Sequence, residues 1–175
     1  KLRIISKYNR QCDTHREASF QFVEQSKPDL LIISDNLNSD DGVAKFKSAY
    51  DEVVPRLKAS TKQLLLIETS ATTSKLLDCL NGGTDLTNCP AKPFRVTQLR
   101  AAQREIAQKY GIGYWDTSSA LCFDQGNGLM CPPVIGKSAV SGDGGHIFPN
   151  ISKELAPFLM KVLIALKVKD LAPLD

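Results

Sequence analysis

Two histidines stand in the chain, and one of them has the company that chemistry needs. His146 lies in the stretch SGDGGHIFPN, three residues after Asp143 and among Gly142, Gly144 and Gly145. Glycines let a loop fold tightly enough to bring the Asp143 carboxylate back onto the imidazole. A carboxylate on one ring nitrogen fixes the tautomer and stabilises the imidazolium, leaving the other nitrogen as a general base. The same residues also suit a turn in which Asp143 caps backbone and His146 faces water. Ser141, five residues before His146 on the same loop, is poorly placed to attack a substrate held there. His15, with Cys12, Arg16 and Glu17 around it at the start of a helix pattern, reads as a surface residue.

Five cysteines form the next pattern. Cys79 and Cys89 bracket LNGGTDLTN, while Cys122 and Cys131 bracket FDQGNGLM, and both loops are rich in turn residues. Short polar loops closed in this way read as two disulfides, Cys79–Cys89 and Cys122–Cys131, made in an oxidising compartment. Four reduced thiols are the alternative, although buried free thiols favour apolar neighbours that these lack. A zinc site on Cys12-x-x-His15 with a distant cysteine pair is a further alternative, weakened because no Cys-x-x-Cys occurs. Cys12 is left odd, as a free thiol or paired outside the chain.

Groups of this kind need a rigid frame, and the apolar pattern supplies one. Residues 2–6 form a short strand candidate, followed by a polar turn around Asn9 and Cys12. Residues 15–26 read as a helix with Ala18, Phe22 and Val23 inward, and with Thr14 and Glu17 as a capping pair. The unbroken run 30–34 (LLIIS) reads as a strand buried on both faces. A helix over 42–59 follows, with Val43, Phe46, Tyr50, Val53, Val54 and Leu57 on one stripe and Pro55 expected to kink or split it. Residues 63–68 make a second buried strand, and 69–93 read as the first cysteine-bracketed loop. Residues 94–110 predict an amphipathic helix with Val96, Leu99, Ala102, Ile106 and Ala107 inward and Arg100, Arg104 and Gln108 outward, closed by Gly111. A strand over 112–116, one helical turn over 117–121, the second bracketed loop and a helix capped by Asn150 or Ser152 complete the chain. Pro157 is expected to limit that last helix's first turn. Buried strands alternating with helices predict a mainly parallel sheet covered on both faces. Ligand sites in such sheets lie at the carboxyl ends of the strands, here after Ser34, Glu68 and Asp116.

The length of 175 residues suits one domain, and 42% apolar with 23% charged residues excludes a disordered tail or a disulfide-only miniprotein. Twenty-two basic residues against 19 acidic give +3, but they are dispersed and lack aromatic interleaving, which argues against a nucleic-acid partner. The most apolar stretch, 158–166, contains Lys161 and falls short of the ~20 residues of a membrane span. Lys1-Leu2-Arg3 runs straight into strand-like residues, as an exported mature chain or an internal fragment would. No Gly-x-Gly-x-x-Gly follows a strand, so a dinucleotide-binding fold lacks its fingerprint.

Asp-x-x-His ahead of a final helix, in an α/β chain of this order, resembles the last sequence block of the SGNH (GDSL-like) hydrolase superfamily. The stretch LCFDQGNGLMCPPVIGKSAVSGDGGHIF resembles more closely the extracytoplasmic C-terminal SGNH domains fused to acyltransferase family 3 membrane proteins. Those domains share a cysteine pair before Asp-x-x-His, a middle-loop pair and a strand of the Lys-Pro-Asp-Leu-Leu-Ile-Ile type. The likeness spans 27–159. It implies a three-layer α/β/α fold in which Asp143 is the triad acid and His146 the general base. It also makes Asn36, in SDNLNSDD, the nearest oxyanion donor, although the Gly-x-Asn-Asp form is absent and Asn36 equally suits a turn. The family's Gly-Asp-Ser motif, which follows its first strand, does not occur in the chain. Residues 2–6 fit the family's second strand, so the expectation is a single SGNH-like domain over 1–175 with the first strand and nucleophile turn upstream.

The resemblance implies an extracytoplasmic, membrane-tethered O-acyltransferase domain. It would pass an acyl group, most often acetyl, from a membrane acyltransferase domain to a hydroxyl of a surface glycan or glycolipid. No cofactor is expected. A carbohydrate esterase uses the same acyl-enzyme with water as acceptor, and a non-catalytic glycan-binding or docking domain would keep Asp143 and His146 as structure.

Overall fold

The three leucines at 64–66 lie in a strand with neighbours on both sides, and the rest of the fold is arranged around them. The computed structural model describes residues 10–35, 42–68, 76–83, 85, 89, 91–93, 97–126, 128–141 and 146–168. Strand β2 (Gln63–Ile67) runs parallel to β1 (Leu30–Ser34) on one side and to β4 (Gly113–Trp115) on the other. The register pairs Leu31 with Leu64 and Leu66 with Tyr114. Leu64, Leu65 and Leu66 are at most 4% exposed, each burial contributing about 1.5–3 kcal/mol relative to exposure. The chain is thus mixed α/β with a three-strand parallel sheet, as its alternating pattern predicts.

Helices α1 (Arg10–Ser26), α2 (Val43–Ser60) and α4 (Thr97–Tyr110) pack on one face. There Phe46, Val54, Leu57, Leu99, Ala102 and Ile106 close over Leu64, with Leu31 and Ile33 against them. Leu65 meets the other face, where Leu166 at the end of α6 (Pro149–Ala165) approaches Gly113. A Cβ at Gly113 would lie 2.5 Å from Leu166 Cδ1, so any larger residue there would displace the Leu166 side chain that now fills the space.

Several expectations change. The strand candidate 2–6 lies outside the described residues. Helix α1 begins at Arg10, so Thr14 and Glu17 are inside it rather than at its cap, and Cys12 lies in the helix. Phe20 and Val23 pack on the core instead, and Arg56 of α2 bonds Glu17 and Glu24 at the rim of that contact and lies 4.7 Å over the Phe20 ring. Ala18 faces water and Phe22 is 69% exposed. Strand β1 is not buried on both faces. Ile32 is 42% exposed, since among the described residues only the helical face of β1 is covered.

Pro55 lies within α2 without splitting it. Proline removes the N–H that would bond the Asp51 carbonyl. The Tyr110 hydroxyl donates to Asp51 Oδ1 at 2.8 Å and so lies 3.4 Å from that carbonyl oxygen, a polar neighbour in place of the missing N–H. Gly111, at φ +57°, ends α4 with Gly111 N–H bonding Gln108 O and Ile112 N–H bonding Ala107 O, the paired closure that a left-handed residue permits. Phe148 caps α6 and Pro149 opens it, so neither Asn150 nor Ser152 is the cap. Proline suits that first position because its missing N–H would have no helical partner. Pro157 lies inside α6 and does not limit it.

The cysteine-bracketed loops are more structured than their composition suggests. The first contains α3 (Leu76–Asn81) and β3 (Lys92–Pro93), and Cys79 is bonded to Cys89. The helical turn predicted over 117–121 is α5 (Ser118–Leu121). The second loop is a hairpin of β5 (Phe123–Asp124) and β6 (Leu129–Cys131), with β3 antiparallel to β6 on its other side. Cys122 and Cys131 are bonded across its base. A second small pair, β7 (Val134–Ile135) with β8 (Ser138–Ala139), follows. Cys131 is fully buried in the main cluster, while Cys122 also packs on a second one of Leu121, Val140, Ile151 and Leu155. Among the described residues no helix is long and apolar enough to cross a membrane.

The Cys122–Cys131 bond closes a loop of about ten residues and should contribute about 2–3 kcal/mol. Replacing both cysteines by alanine should lower the urea midpoint accordingly. An unchanged midpoint would show that the hairpin and the two clusters hold without the bond.

Candidate functional site

All three parallel strands end on an acidic residue: Asp35 after β1, Glu68 after β2 and Asp116 after β4. Helix α4 brings the groups that hold them. Arg100 Nε donates to Glu68 Oε1 at 2.6 Å, and its Nη2 donates to Asp116 Oδ2 at 2.7 Å. Arg104 reaches the same Asp116 oxygen. One turn along from Arg100, the fully buried Gln103 donates to Asp35 at 3.3 and 3.4 Å, and Tyr50 of α2 donates to Asp35 Oδ2 at 2.8 Å.

Glu68, whose side chain is fully buried, also accepts from the Tyr114 hydroxyl at 2.8 Å and from the Ser118 N–H at 2.7 Å. Asp116 Oδ1 accepts from the Ser118 hydroxyl at 2.9 Å and the Ser119 N–H at 3.1 Å. Burial alone would raise the Asp116 pKa, but the hydrogen bonds from Arg100, Ser118 and Ser119 outweigh it and hold the carboxyl below the usual carboxylate range. Burial, then the charge of Glu68, pushes the Tyr114 phenol above the ordinary tyrosine range; burial and Asp35 do the same to Tyr50. Both phenols therefore stay neutral donors at physiological pH.

Of the predicted triad residues, His146 stands beside this frame. His146 is exposed, at the end of its glycine-rich loop. Ser141 and Ile147 form an antiparallel bridge that closes the loop at its base, and the Phe148 N–H bonds Val140 O at 2.9 Å. Val140 and Ile147 belong to the second cluster, against which Trp115 at the end of β4 also packs. The segment carrying His146 is therefore anchored next to the carboxyl end of β4. Asp143 and Asn36 lie outside the described residues. Ser141 is 2% exposed, in keeping with its exclusion as a nucleophile, and His15 is exposed as expected. Among the described residues no group of three His, Cys, Asp or Glu side chains is placed to hold a metal ion.

Arg100 is not outward, as its place in the helical pattern suggests. Its side chain is 19% exposed because the strand-end acids lie over that part of α4. Glu68 and Asp116 were legible as residues ending apolar strands; the arginine that joins them was not.

The stabilisation that Asp116 gains is complete above its unfolded pKa and is lost as pH falls through the lower folded one. The stability gap between the native chain and Asp116→Asn should therefore narrow below about pH 4. A gap independent of pH would show that the carboxylate charge is not what matters. Thr117, 5% exposed, has a buried hydroxyl without a hydrogen-bond partner among the described residues. Thr117→Val should be neutral or stabilising by about 1 kcal/mol in denaturant titrations, whereas a clear loss would reveal a partner for that oxygen.

Comparison of the chain with models of protein families, with curated proteins and with solved structures finds no match.

Proposed function

We propose that the chain is an SGNH-like domain of a cell-envelope O-acyltransferase, with His146 as general base and Asp143 as the acid that orients it. The observation carrying this reading is the anchored loop. The Ser141–Ile147 bridge and the packing of Ile147, Val140 and Trp115 hold His146 beside the carboxyl end of a parallel sheet, where ligands of α/β folds bind. The strand order β1-β2-β4 with helices on both faces supports the three-layer arrangement of that superfamily. Two disulfides support an oxidising, extracytoplasmic setting.

The mechanism follows from those roles. A serine hydroxyl attacks the acyl carbonyl, His146 takes its proton, and the donor's leaving group departs with that proton. The glycan hydroxyl then attacks the acyl-serine, gives its proton to His146 and leaves as the ester, and His146 returns the proton to the serine. Asn36 would donate to the oxyanion in both steps. No Gly-Asp-Ser occurs within these 175 residues, so on this reading they supply the base and its acid and not the serine. A membrane acyltransferase domain would deliver the acyl group. The same lack favours, as a second reading, a domain that binds the glycan or docks the membrane partner without catalysis.

His146→Ala, introduced into the native gene product in its own cells, should abolish O-acetylation of the surface glycan as read by mass spectrometry. The circular dichroism of the purified chain should not change. Full acetylation with the variant would overturn the triad assignment. Ester hydrolysis that ignores added sugar acceptor would replace the transferase by an esterase.

A further inference from the structure

An open groove of about 550 Å³ lies between the last turns of α4 and strand β4, away from the His146 loop's own cluster. Arg104, Ala107 and Gln108 line it from the helix, and Ile112, Tyr114 and Asp116 line it from the strand. The geometry points to a subsite for a neutral sugar unit. This deepens the acceptor reading above by naming where a unit of the glycan chain beside the modified one is held.

The argument begins with the Tyr114 ring. Its hydroxyl is tied to Glu68 at 2.8 Å, so the ring that lines the groove is restrained at its far end. The Arg104 guanidinium lies over this ring, 5.8 Å from its centroid, and is also bonded to Asp116 while its side chain stays 42% exposed. Gln108 is exposed on the same side of α4 and adds a donor and an acceptor on one planar group. Asp116 already accepts from two arginines, Ser118 and Ser119, so it offers a ligand little and serves to hold Arg104. A tyrosine and an arginine already tied to Glu68 and Asp116 lose little freedom when a hydroxyl-bearing sugar settles against them.

Other ligand classes fit less well. Glu68 and Asp116 balance Arg100 and Arg104, which leaves no net positive charge for a phosphate. Ala107 and Ile112 are too little apolar surface for an acyl chain. Strand β4 has three residues, too short an edge to hold an added peptide strand by its backbone.

The test reads binding rather than turnover. The purified chain would be titrated by NMR with a panel of neutral oligosaccharides of two to six units, including maltotetraose and chitotriose. At least one should bind, with shifts centred on Tyr114. Loss of the guanidinium or carboxamide bonds in Arg104→Ala or Gln108→Ala should weaken that binding about tenfold. Gln108→Ala, at an exposed helix position, keeps the test valid if the arginine variant fails to fold. His146→Ala should bind as the native chain does, so failure of the catalytic reading would leave this result untouched. No binding across the panel, or undiminished binding by Gln108→Ala, would overturn the subsite. Binding lost in His146→Ala alone would move the sugar to the His146 loop and equally overturn it.

Discussion

Arg100 lies between two carboxylates at the carboxyl end of the sheet, and the positions of the strand ends follow from it. Its guanidinium is 19% exposed, Glu68 is fully buried, and Asp116 is 23% exposed. Groups so enclosed are tolerable because each charge finds its opposite and the remaining lone pairs are filled by Tyr114, Ser118 and Ser119. Gln103, one turn further along α4, extends the same restraint to Asp35. One helix therefore sets the ends of β1, β2 and β4 relative to each other, and with them the starts of the loops in which a site of this fold class would be built.

Beside this polar frame stands a second, apolar one. Trp115 packs with Val140 and Ile147 on the other side of β4, so two adjacent residues, Tyr114 and Trp115, serve opposite faces of the same strand. The alternation of side chains along a strand makes this possible in a three-residue element. The polar network fixes where the strand ends, and the apolar cluster fixes what is carried past it.

Much of this was legible in the sequence where a single physical cause acts. The leucine run at 64–66 has one stable place, the middle of a sheet, and Gly111 has one task, the left-handed close of α4. The cysteine pairs followed from short turn-rich loops between them. What escaped depended on partners distant in sequence. Phe22 fitted the apolar face by periodicity, but the helix presents Phe20 to the core instead, with Arg56 of another helix over its ring and bonded to Glu17 and Glu24 at the rim. Pro55 reads as a helix breaker, yet α2 runs on through it, with the Tyr110 hydroxyl, 55 positions later in the chain, set beside the carbonyl it leaves without an N–H. Of the candidate site, His146 drew notice by the glycine-rich stretch around it, whereas nothing local showed that Glu68, Arg100 and Gln103 would be joined at the strand ends.

The unequal burial of the Cys122–Cys131 sulfurs has a chemical consequence. Cys131 is enclosed in the main cluster while Cys122 is partly open, so an incoming thiolate meets Cys122 first. Attack there would expel the sulfur of Cys131 as a thiolate into apolar surroundings, where the charged form is disfavoured and the group leaves poorly. The expelled sulfur, still held against its former partner by the hairpin, would tend to displace the attacker again. A small-molecule reductant would thus cleave this bond at the rate at which the hairpin parts from the helices, and the covalent link is guarded by the packing that it helps to hold.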